Sequence, residues 1–65
     1  MFVSDDLVRR ARLHAALGEP TRLAIVEELT TSDRSPNELG RLLDLPTNLL
    51  APHLDVLEDV GLIRR

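Results

Sequence analysis

Residues 36–55, which read PNELGRLLDLPTNLLAPHLD, contain the pattern that decides the fold. Two short helical segments flank a turn of three to four residues, and Asp44 suits the unusual backbone angle that such a turn needs. Where the two segments cross closely, the first needs a very small residue, and Gly40 stands there. The surrounding leucines are spaced to point into one small core: Leu39, Leu43, Leu45 and Leu50. The stretch therefore predicts a helix-turn-helix, although the same features also fit a plain helical hairpin.

The second segment, predicted as a helix over residues 47–60, begins with four exposed positions: Thr47, Asn48, Ala51 and Pro52. A helix that enters the major groove presents such positions to the base edges. Alanine cannot donate a hydrogen bond there, and Pro52 lacks a backbone N–H and distorts a helix beyond its first turn. The pattern thus predicts a helix that reads DNA, although Ala51 and Pro52 argue against this prediction.

Two further helices are predicted upstream of this stretch. Ser4 can cap a first helix, and Gly18 can end it. Glu19-Pro20 opens the second helix, because proline at the first helical position loses no hydrogen bond. Residues 30–33, Thr-Thr-Ser-Asp, are typical of a loop.

The last two helices have their own boundary signals. Ser35 and Glu38 form the sequence of a capping box in front of the third helix, and Gly61 ends the fourth. The closing residues 62–65 resemble the start of a strand without a partner. We therefore expect one all-α domain over residues 1–65, with about four helices and a vestigial strand.

Composition excludes several classes of protein. Hydrophobic residues make up 43% of the 65, but Phe2 is the single aromatic one, so the core must be aliphatic. The absence of cysteine excludes disulfides, thiolate catalysis and cysteine-based metal sites in this segment. No apolar run approaches the roughly 20 residues that span a bilayer, and no signal peptide is visible, so we expect a cytoplasmic protein.

The charge balance does not by itself indicate nucleic acid. Eight arginines and no lysine face eleven acidic residues, for a net charge of −3. DNA-binding proteins usually carry a basic face, because neutralising phosphates supplies much of the affinity. Residues 44–63 contain four carboxylates and no arginine, whereas Arg64 and Arg65 follow directly.

Three segments together resemble the ArsR-type metal- and arsenic-responsive repressors. LHAALGEPTRLAI at 13–25 is similar to the family's opening ALxxPTRLxIL, and 35–45 is similar to its third helix. LLAPHLDVLEDVGLI at 49–63 resembles its recognition helix and the HLxxLxxAGLV exit toward the wing. The resemblance implies a homodimeric winged helix in which the first and last helices form the dimer and an inducer releases operator DNA. It also implies that the wing and final helix are missing from this segment.

The departures from that family bear on function. Where the family carries Cys-Val-Cys-Glu-Leu at the start of the third helix, this chain has Ser-Pro-Asn-Glu-Leu at 35–39, so that thiolate sensing site is absent. The family commonly has serine and histidine or arginine where Ala51 and Pro52 stand here. The Leu-Leu-Ala run at 49–51 resembles a subgroup fused to, or encoded beside, an arsenate reductase of the low-molecular-weight phosphatase type.

Two sets of site residues follow. The predicted contacts to double-stranded DNA are Ser35, Arg41, Thr47, Asn48, Ala51, Pro52, Arg64 and Arg65. The predicted dimer face is the second apolar side of the first helix: Leu13, Ala16 and Leu17. We expect His53 to be a core or interface histidine with one hydrogen bond, and the Arg22 guanidinium to tie the second helix to the neighbouring chain by hydrogen bonds. Neither a metal or other cofactor site nor catalysis is predicted.

Two hypotheses for the function remain open. The first is a transcriptional regulator that binds a palindromic operator as a homodimer. The second is a non-catalytic dimerisation or docking module that has kept the fold, lost DNA binding and associates with an arsenate reductase. Pro52 and the acidic fourth helix favour the second hypothesis, and the helix-turn-helix pattern favours the first.

Overall fold

The computed structural model describes residues 3–64 and contains four α-helices: α1 (Asp5–Leu17), α2 (Pro20–Thr31), α3 (Pro36–Leu43) and α4 (Thr47–Asp59). The predicted all-α class with four helices is confirmed. The vestigial strand predicted at residues 62–65 is wrong over residues 62–64, since residues 3–64 contain no strand and offer no extended partner with which to form a ladder. Arg65 lies outside the described residues. None of the four helices is long and apolar enough to cross a membrane.

Side chains cap the first three helices at their N-termini, as the sequence predicts for the first and the third. The Ser4 hydroxyl oxygen accepts the Leu7 backbone N–H at 3.1 Å at the start of α1. At the start of α2, the Glu19 carboxylate accepts the Arg22 N–H at 3.0 Å. Such caps satisfy backbone donors that a helix end leaves unpaired.

The predicted loop at residues 30–33 is wrong in its first half, because α2 continues to Thr31. The Thr30 hydroxyl donates to the Glu27 carbonyl at 2.7 Å, and the Thr31 hydroxyl donates to the Glu28 carbonyl at 3.0 Å. These bonds satisfy the threonine side chains within the helix, so the two residues need not leave it.

The turn between α3 and α4 depends on Asp44 and Gly40. Asp44 has φ 55° and ψ 48°, the left-handed conformation that aspartate tolerates better than most residues. A Cβ atom on Gly40 would lie 2.8 Å from the Leu45 carbonyl oxygen. The Leu45 N–H also donates to the Gly40 carbonyl at 2.8 Å. Position 40 therefore requires a glycine because the turn backbone packs against it, and not only because two helices cross there.

The end of α4 is a Schellman motif. Gly61 has φ +80°, its N–H donates to the Glu58 carbonyl at 2.9 Å, and the Leu62 N–H donates to the Leu57 carbonyl at 2.9 Å. The reversal turns Leu62 and Ile63 back against the core. This confirms Gly61 as the stop that the sequence predicts.

The core is small and aliphatic. Its buried side chains are Ala16, Ile25, Leu39, Leu50, Leu54 and Leu57. Three of these six belong to α4, which contacts both α2 and α3. The position of α4 is thus set by packing on one face, and its opposite face is left to solvent.

The predicted dimer face on α1 requires a correction at Ala16. That residue is 3% exposed and packs in the core of its own chain, while Leu13 and Leu17 are half-buried. The opposite stripe is the exposed one, with Leu7 at 40% and Val8 at 38%. The sequence shows two apolar sides on α1, and only tertiary packing decides which of them the small Ala16 brings against the core.

Candidate nucleic-acid interface

The N-terminal part of α4 exposes three of the four positions that the sequence predicts to be exposed. Thr47, Asn48 and Pro52 are exposed and Ala51 is half-buried, whereas Leu50 between them is fully buried. The Leu50 side chain therefore anchors this turn of α4, and its polar neighbours point away from the core. In a helix-turn-helix these are the positions that meet the major groove.

Arg41 and Thr47 line the same cleft at the helix-turn-helix turn. The cleft has a volume of about 510 Å³, and Asn37, Asp44 and Pro46 also line it. Arg41 is exposed on α3, and Thr47 is the first residue of α4. The fold thus brings a cation and a hydroxyl group together from both helices of the motif. This pairing is suited to an anionic group such as a phosphate.

Ser35 is held in a complete capping box at the start of α3. Its hydroxyl oxygen accepts the Glu38 N–H at 3.2 Å, and its own N–H donates to the Glu38 carboxylate at 3.1 Å. The pKa of Glu38 lies below its ordinary value of 4.5, chiefly because its carboxylate accepts from the Ser35 backbone N–H and then because it accepts from the Ser35 side chain, with Arg34 and Arg41 as smaller causes. The Ser35 hydroxyl is therefore engaged with Glu38.

Arg64 lies at a second groove on the other side of α3. This groove has a volume of about 460 Å³ and an apolar lining that includes Leu29, Leu54 and Ile63. Arg64 is exposed at its edge. The other predicted contact at this end, Arg65, lies outside the described residues.

Arg34 is a residue that the sequence reasoning missed. It lines the groove that contains Arg64 and also a smaller pocket that contains Arg41, so it lies between the two predicted phosphate contacts. Its guanidinium lies 3.1 Å from the Glu28 carboxylate and 3.7 Å from the Glu38 carboxylate. The i, i+4 spacing of Arg34 and Glu38 was the available sequence signal. Because two carboxylates flank Arg34, it contributes less positive potential than Arg41.

The negative charge of α4 is opposite to the positive charge of the arginines that flank it. The helix contains no arginine or lysine, and it carries Asp55, Glu58 and Asp59. All three are exposed. A DNA phosphate would therefore meet cations from α3, from the loop before it and from Arg64 after α4, and not from α4 itself.

Pro52 is the sixth residue of α4, which begins at Thr47 after the N-cap Pro46. A missing N–H costs nothing within the first turn of a helix, but Pro52 lies beyond that turn. Because proline has no N–H, the Asn48 carbonyl loses the partner that residue 52 would otherwise supply. The break lies within the predicted DNA-facing turns of α4.

His53 contacts α2 at the junction with α1. Its Nδ1 atom lies 3.4 Å from an Arg22 guanidinium nitrogen and 3.6 Å from the Glu19 carboxylate. The Arg22 Nε donates to the Ala16 carbonyl at 2.8 Å. The structure thus places His53 half-buried between α4 and the start of α2, and the Arg22 guanidinium bonds within its own chain, where it joins α2 to the end of α1. Sequence alone did not indicate that the two residues contact each other.

Comparison with known families gives one match. The family model described as a helix-turn-helix domain matches residues 17–65, which include α2, α3 and α4. The chain matches no curated protein and no solved structure. The match covers about three quarters of the sequence and includes both the turn at Asp44 and the exposed start of α4. The chain therefore belongs to the helix-turn-helix domain family, whose members are DNA-binding regulators.

Proposed function

We propose that this chain is the DNA-binding core of an ArsR-type transcriptional regulator, which binds operator DNA as a homodimer through α4. The observation that carries the proposal is the matched helix-turn-helix, in which Leu50 anchors α4 and leaves Thr47 and Asn48 exposed. Thr47 and Asn48 would approach base edges, and Ala51 and Pro52 would lie against the groove wall. Ser35, Arg41, Arg64 and Arg65 would contact phosphates.

Salt dependence tests the phosphate contacts. We expect the chain to bind a mixed-sequence duplex with an affinity that falls steeply between about 50 and 200 mM salt. Arg41→Ala should weaken binding to all sequences and reduce the salt slope by about one, because one phosphate contact is lost. Arg10→Ala removes the same charge from α1, where Arg10 pairs with Asp6, and should leave the slope unchanged. An affinity that does not change with salt concentration, or equal effects of the two variants on the affinity measured by fluorescence anisotropy, would reject this arrangement.

Asn48 tests whether α4 reads bases. An asparagine amide can pair with adenine in the major groove, and losing such a contact costs roughly 1–3 kcal/mol of discrimination. We therefore expect Asn48→Ala to relax sequence preference when duplexes are selected from a random pool. Asp59→Ala, at the far end of α4, is the matched control and should leave the selected sequence unchanged. A selected sequence that is the same for wild type and Asn48→Ala would exclude base reading by this residue.

The proposed homodimer uses the exposed stripe of α1. All of residues 5–12 are exposed, and the family match begins only at residue 17, so α1 stands outside the matched core. The radius of gyration is 13.0 Å, whereas a compact chain of this length has about 11 Å. Asp6 is already paired with Arg9 and Arg10 on the same helix. A second copy would cover Leu7 and Val8, and half-buried Leu13 and Leu17 would line the edge of the interface.

Sedimentation tests this surface. We expect the wild type to sediment as a dimer and Leu7→Glu to sediment as a monomer, since a charge would enter the buried stripe. Leu42→Glu introduces the same charge at a residue on α3 that is 53% exposed, and it should remain dimeric. A monomeric wild type, or a dimeric Leu7→Glu, would remove the dimer from the proposal.

A second candidate is a docking module that has lost DNA binding and associates with an arsenate reductase. Pro52 in the second turn of α4 and the acidic residues after it favour this function. Calorimetric titration with an arsenate reductase of the low-molecular-weight phosphatase type tests it directly. Saturable binding to the enzyme together with no salt-dependent binding to DNA would favour the docking module over the regulator.

A further inference from the structure

The cluster of Arg22, Glu19 and His53 joins three helices at one point. Arg22 reaches back to the last turn of α1 through the Ala16 carbonyl, at 2.8 Å, and across to α4 through His53, at 3.4 Å. Its backbone N–H donates to the Glu19 carboxylate, which is the N-cap of α2. The same carboxylate oxygen lies 3.6 Å from the His53 ring nitrogen. A single imidazole nitrogen on α4 therefore faces a cation and an anion that both belong to α2.

The protonation state of His53 decides which of these neighbours it can bind. A guanidinium has only donors, so the Arg22 contact requires an unprotonated Nδ1 as its acceptor and places the proton of the neutral ring on Nε2. When Nδ1 carries a proton, it can no longer accept from Arg22 and the two cations repel each other. It then becomes a donor that fits the Glu19 carboxylate. The charged groups that contact His53 are thus Arg22 and Glu19, and α1 contributes the Ala16 carbonyl as the anchor of Arg22.

Glu19 is already committed to its role as a helix cap. The pKa of Glu19 lies below its ordinary value of 4.5, chiefly because its carboxylate accepts the Arg22 N–H, with smaller contributions from Thr21 and His53. The Glu19 carboxylate thus bonds to the backbone of Arg22, the residue whose guanidinium contacts His53.

The attachment of α4 at His53 matters because the helix is weak just before it. Pro52 removes a backbone hydrogen bond from the preceding turn, and no side chain among residues 3–64 caps the start of α4. Leu50, Leu54 and Leu57 hold the helix by non-directional packing. The contact of His53 with Arg22 on α2 adds a directional interaction, next to the exposed residues that would meet DNA.

We infer that Arg22, Glu19 and His53 form a clamp that positions α4 against the junction of α1 and α2. Its consequence for DNA binding rests on the proposed function, but the clamp itself does not. Arg22 and His53 are positioning residues for α4 and do not touch DNA. The orientation of α4 would then depend on a hydrogen-bond acceptor at position 53.

Three substitutions separate the clamp from a general effect on folding. His53→Asn places an amide oxygen where Nδ1 stands, so it can still accept from Arg22. His53→Leu removes the acceptor altogether. His14→Asn is the matched control, because His14 is the other histidine of the chain and is exposed on α1.

The orientation of α4 can be measured without DNA. The chain has no cysteine, so Glu27→Cys on α2 and Asp59→Cys on α4 allow spin labels at two exposed sites. With labelled protein diluted into unlabelled protein, only distances within one chain contribute. We expect the wild-type, His14→Asn and His53→Asn backgrounds to give the same distance distribution, and His53→Leu to give a shifted or broader one. A His53→Leu distribution equal to that of the wild type, or a change in His53→Asn as large as that in His53→Leu, would overturn the inference.

DNA affinity provides the second measurement. At high pH, we expect His53→Leu to weaken binding to a mixed-sequence duplex about tenfold, since a hydrogen bond to a charged group is lost, and His53→Asn to restore wild-type affinity. Equal losses in the two variants would overturn the positioning role. If the wild type binds no DNA, the proposed function fails, and the spin-label distances still decide whether the clamp exists.

Discussion

The two helices of the helix-turn-helix, α3 and α4, are held in opposite ways. At the start of α3, Ser35 and Glu38 satisfy each other's backbone groups in a complete capping box. At the start of α4, the N-cap is Pro46, and no side chain of residues 3–64 accepts a hydrogen bond from that end. Yet α4 contributes three fully or nearly fully buried leucines to the core and α3 contributes one, Leu39. Local hydrogen bonds hold α3, and packing against the rest of the chain holds α4.

This difference separates the fixed part of the motif from its adjustable part. A helix defined by its own caps keeps its ends under many conditions, because the bonds lie within a few residues of sequence. A helix defined by apolar contacts can rotate or tilt on them, since those contacts are not directional. The exposed turn of α4 is also where Pro52 interrupts the backbone ladder. The helix proposed to meet DNA is thus the one whose orientation the rest of the molecule must set.

The largest effect should come from the core contacts of α4. Leu50→Ala removes a fully buried side chain, and such changes cost about 2–5 kcal/mol. A core of this size rarely supplies more than about 3–5 kcal/mol, so we expect the helical circular dichroism signal at room temperature to be largely lost. Leu42→Ala shortens a leucine that is 53% exposed on α3 and should retain the signal. A folded Leu50→Ala would mean that α4 does not depend on packing in the way described.

The next effect should be stabilising. Pro52→Ala restores a donor for the Asn48 carbonyl, and we expect it to raise the free energy of unfolding in urea by up to about 3 kcal/mol. Pro20→Ala is the matched control, because Pro20 is the first residue of α2, where proline is well tolerated. Its effect should be small. If both substitutions change stability equally, Pro52 is not the weak point of α4.

The junction of the two helices should respond next. A Cβ on Gly40 would lie 2.8 Å from the Leu45 carbonyl oxygen, which is backbone and cannot simply rotate away. We expect Gly40→Ala to lower the free energy of unfolding by about 1–3 kcal/mol, the usual range for overpacking. Gly18→Ala adds the same methyl group with its closest contact at 3.4 Å and a right-handed φ of −77°. It should be neutral within error, and a comparable loss in Gly18→Ala would contradict the role of close packing at the turn.

The same difference explains how much of the molecule could be predicted from sequence. The caps at Ser4 and Ser35, the start of α2 at Pro20, the turn residue Asp44 and the stop at Gly61 were all predicted, because each depends on residues within one or two turns. The Glu19 side-chain cap was not predicted. The end of α2 was placed too early, since the side chain of Thr30 can bond within the helix as well as outside it. Local chemistry therefore fixes most helix boundaries in this chain.

What could not be predicted depends on contacts distant in sequence. Ala16 was assigned to a dimer face because α1 has two apolar sides, and the choice between them is made by α2 and α4. The Arg22–His53 contact joins residues 31 positions apart, and no spacing rule links them. For the candidate DNA interface, sequence indicated Arg41 and Thr47 separately, and the fold places them in one cleft. The fold also adds Arg34, whose positive charge is offset by two nearby carboxylates.

The smallest effect concerns the capping box of α3 and is a dependence on pH. The folded pKa of Glu38 lies below its ordinary value of 4.5, chiefly because the ionised carboxylate accepts the Ser35 N–H. The resulting stabilisation is fully present above about pH 4.5 and is lost as the pH falls through the folded value. Glu38→Gln keeps an acceptor for the Ser35 N–H but does not ionise. The difference in unfolding free energy between wild type and Glu38→Gln should therefore be constant near neutral pH and shrink in acid. A difference that stays constant to pH values well below 4.5 would show that ionisation of Glu38 does not contribute to holding α3.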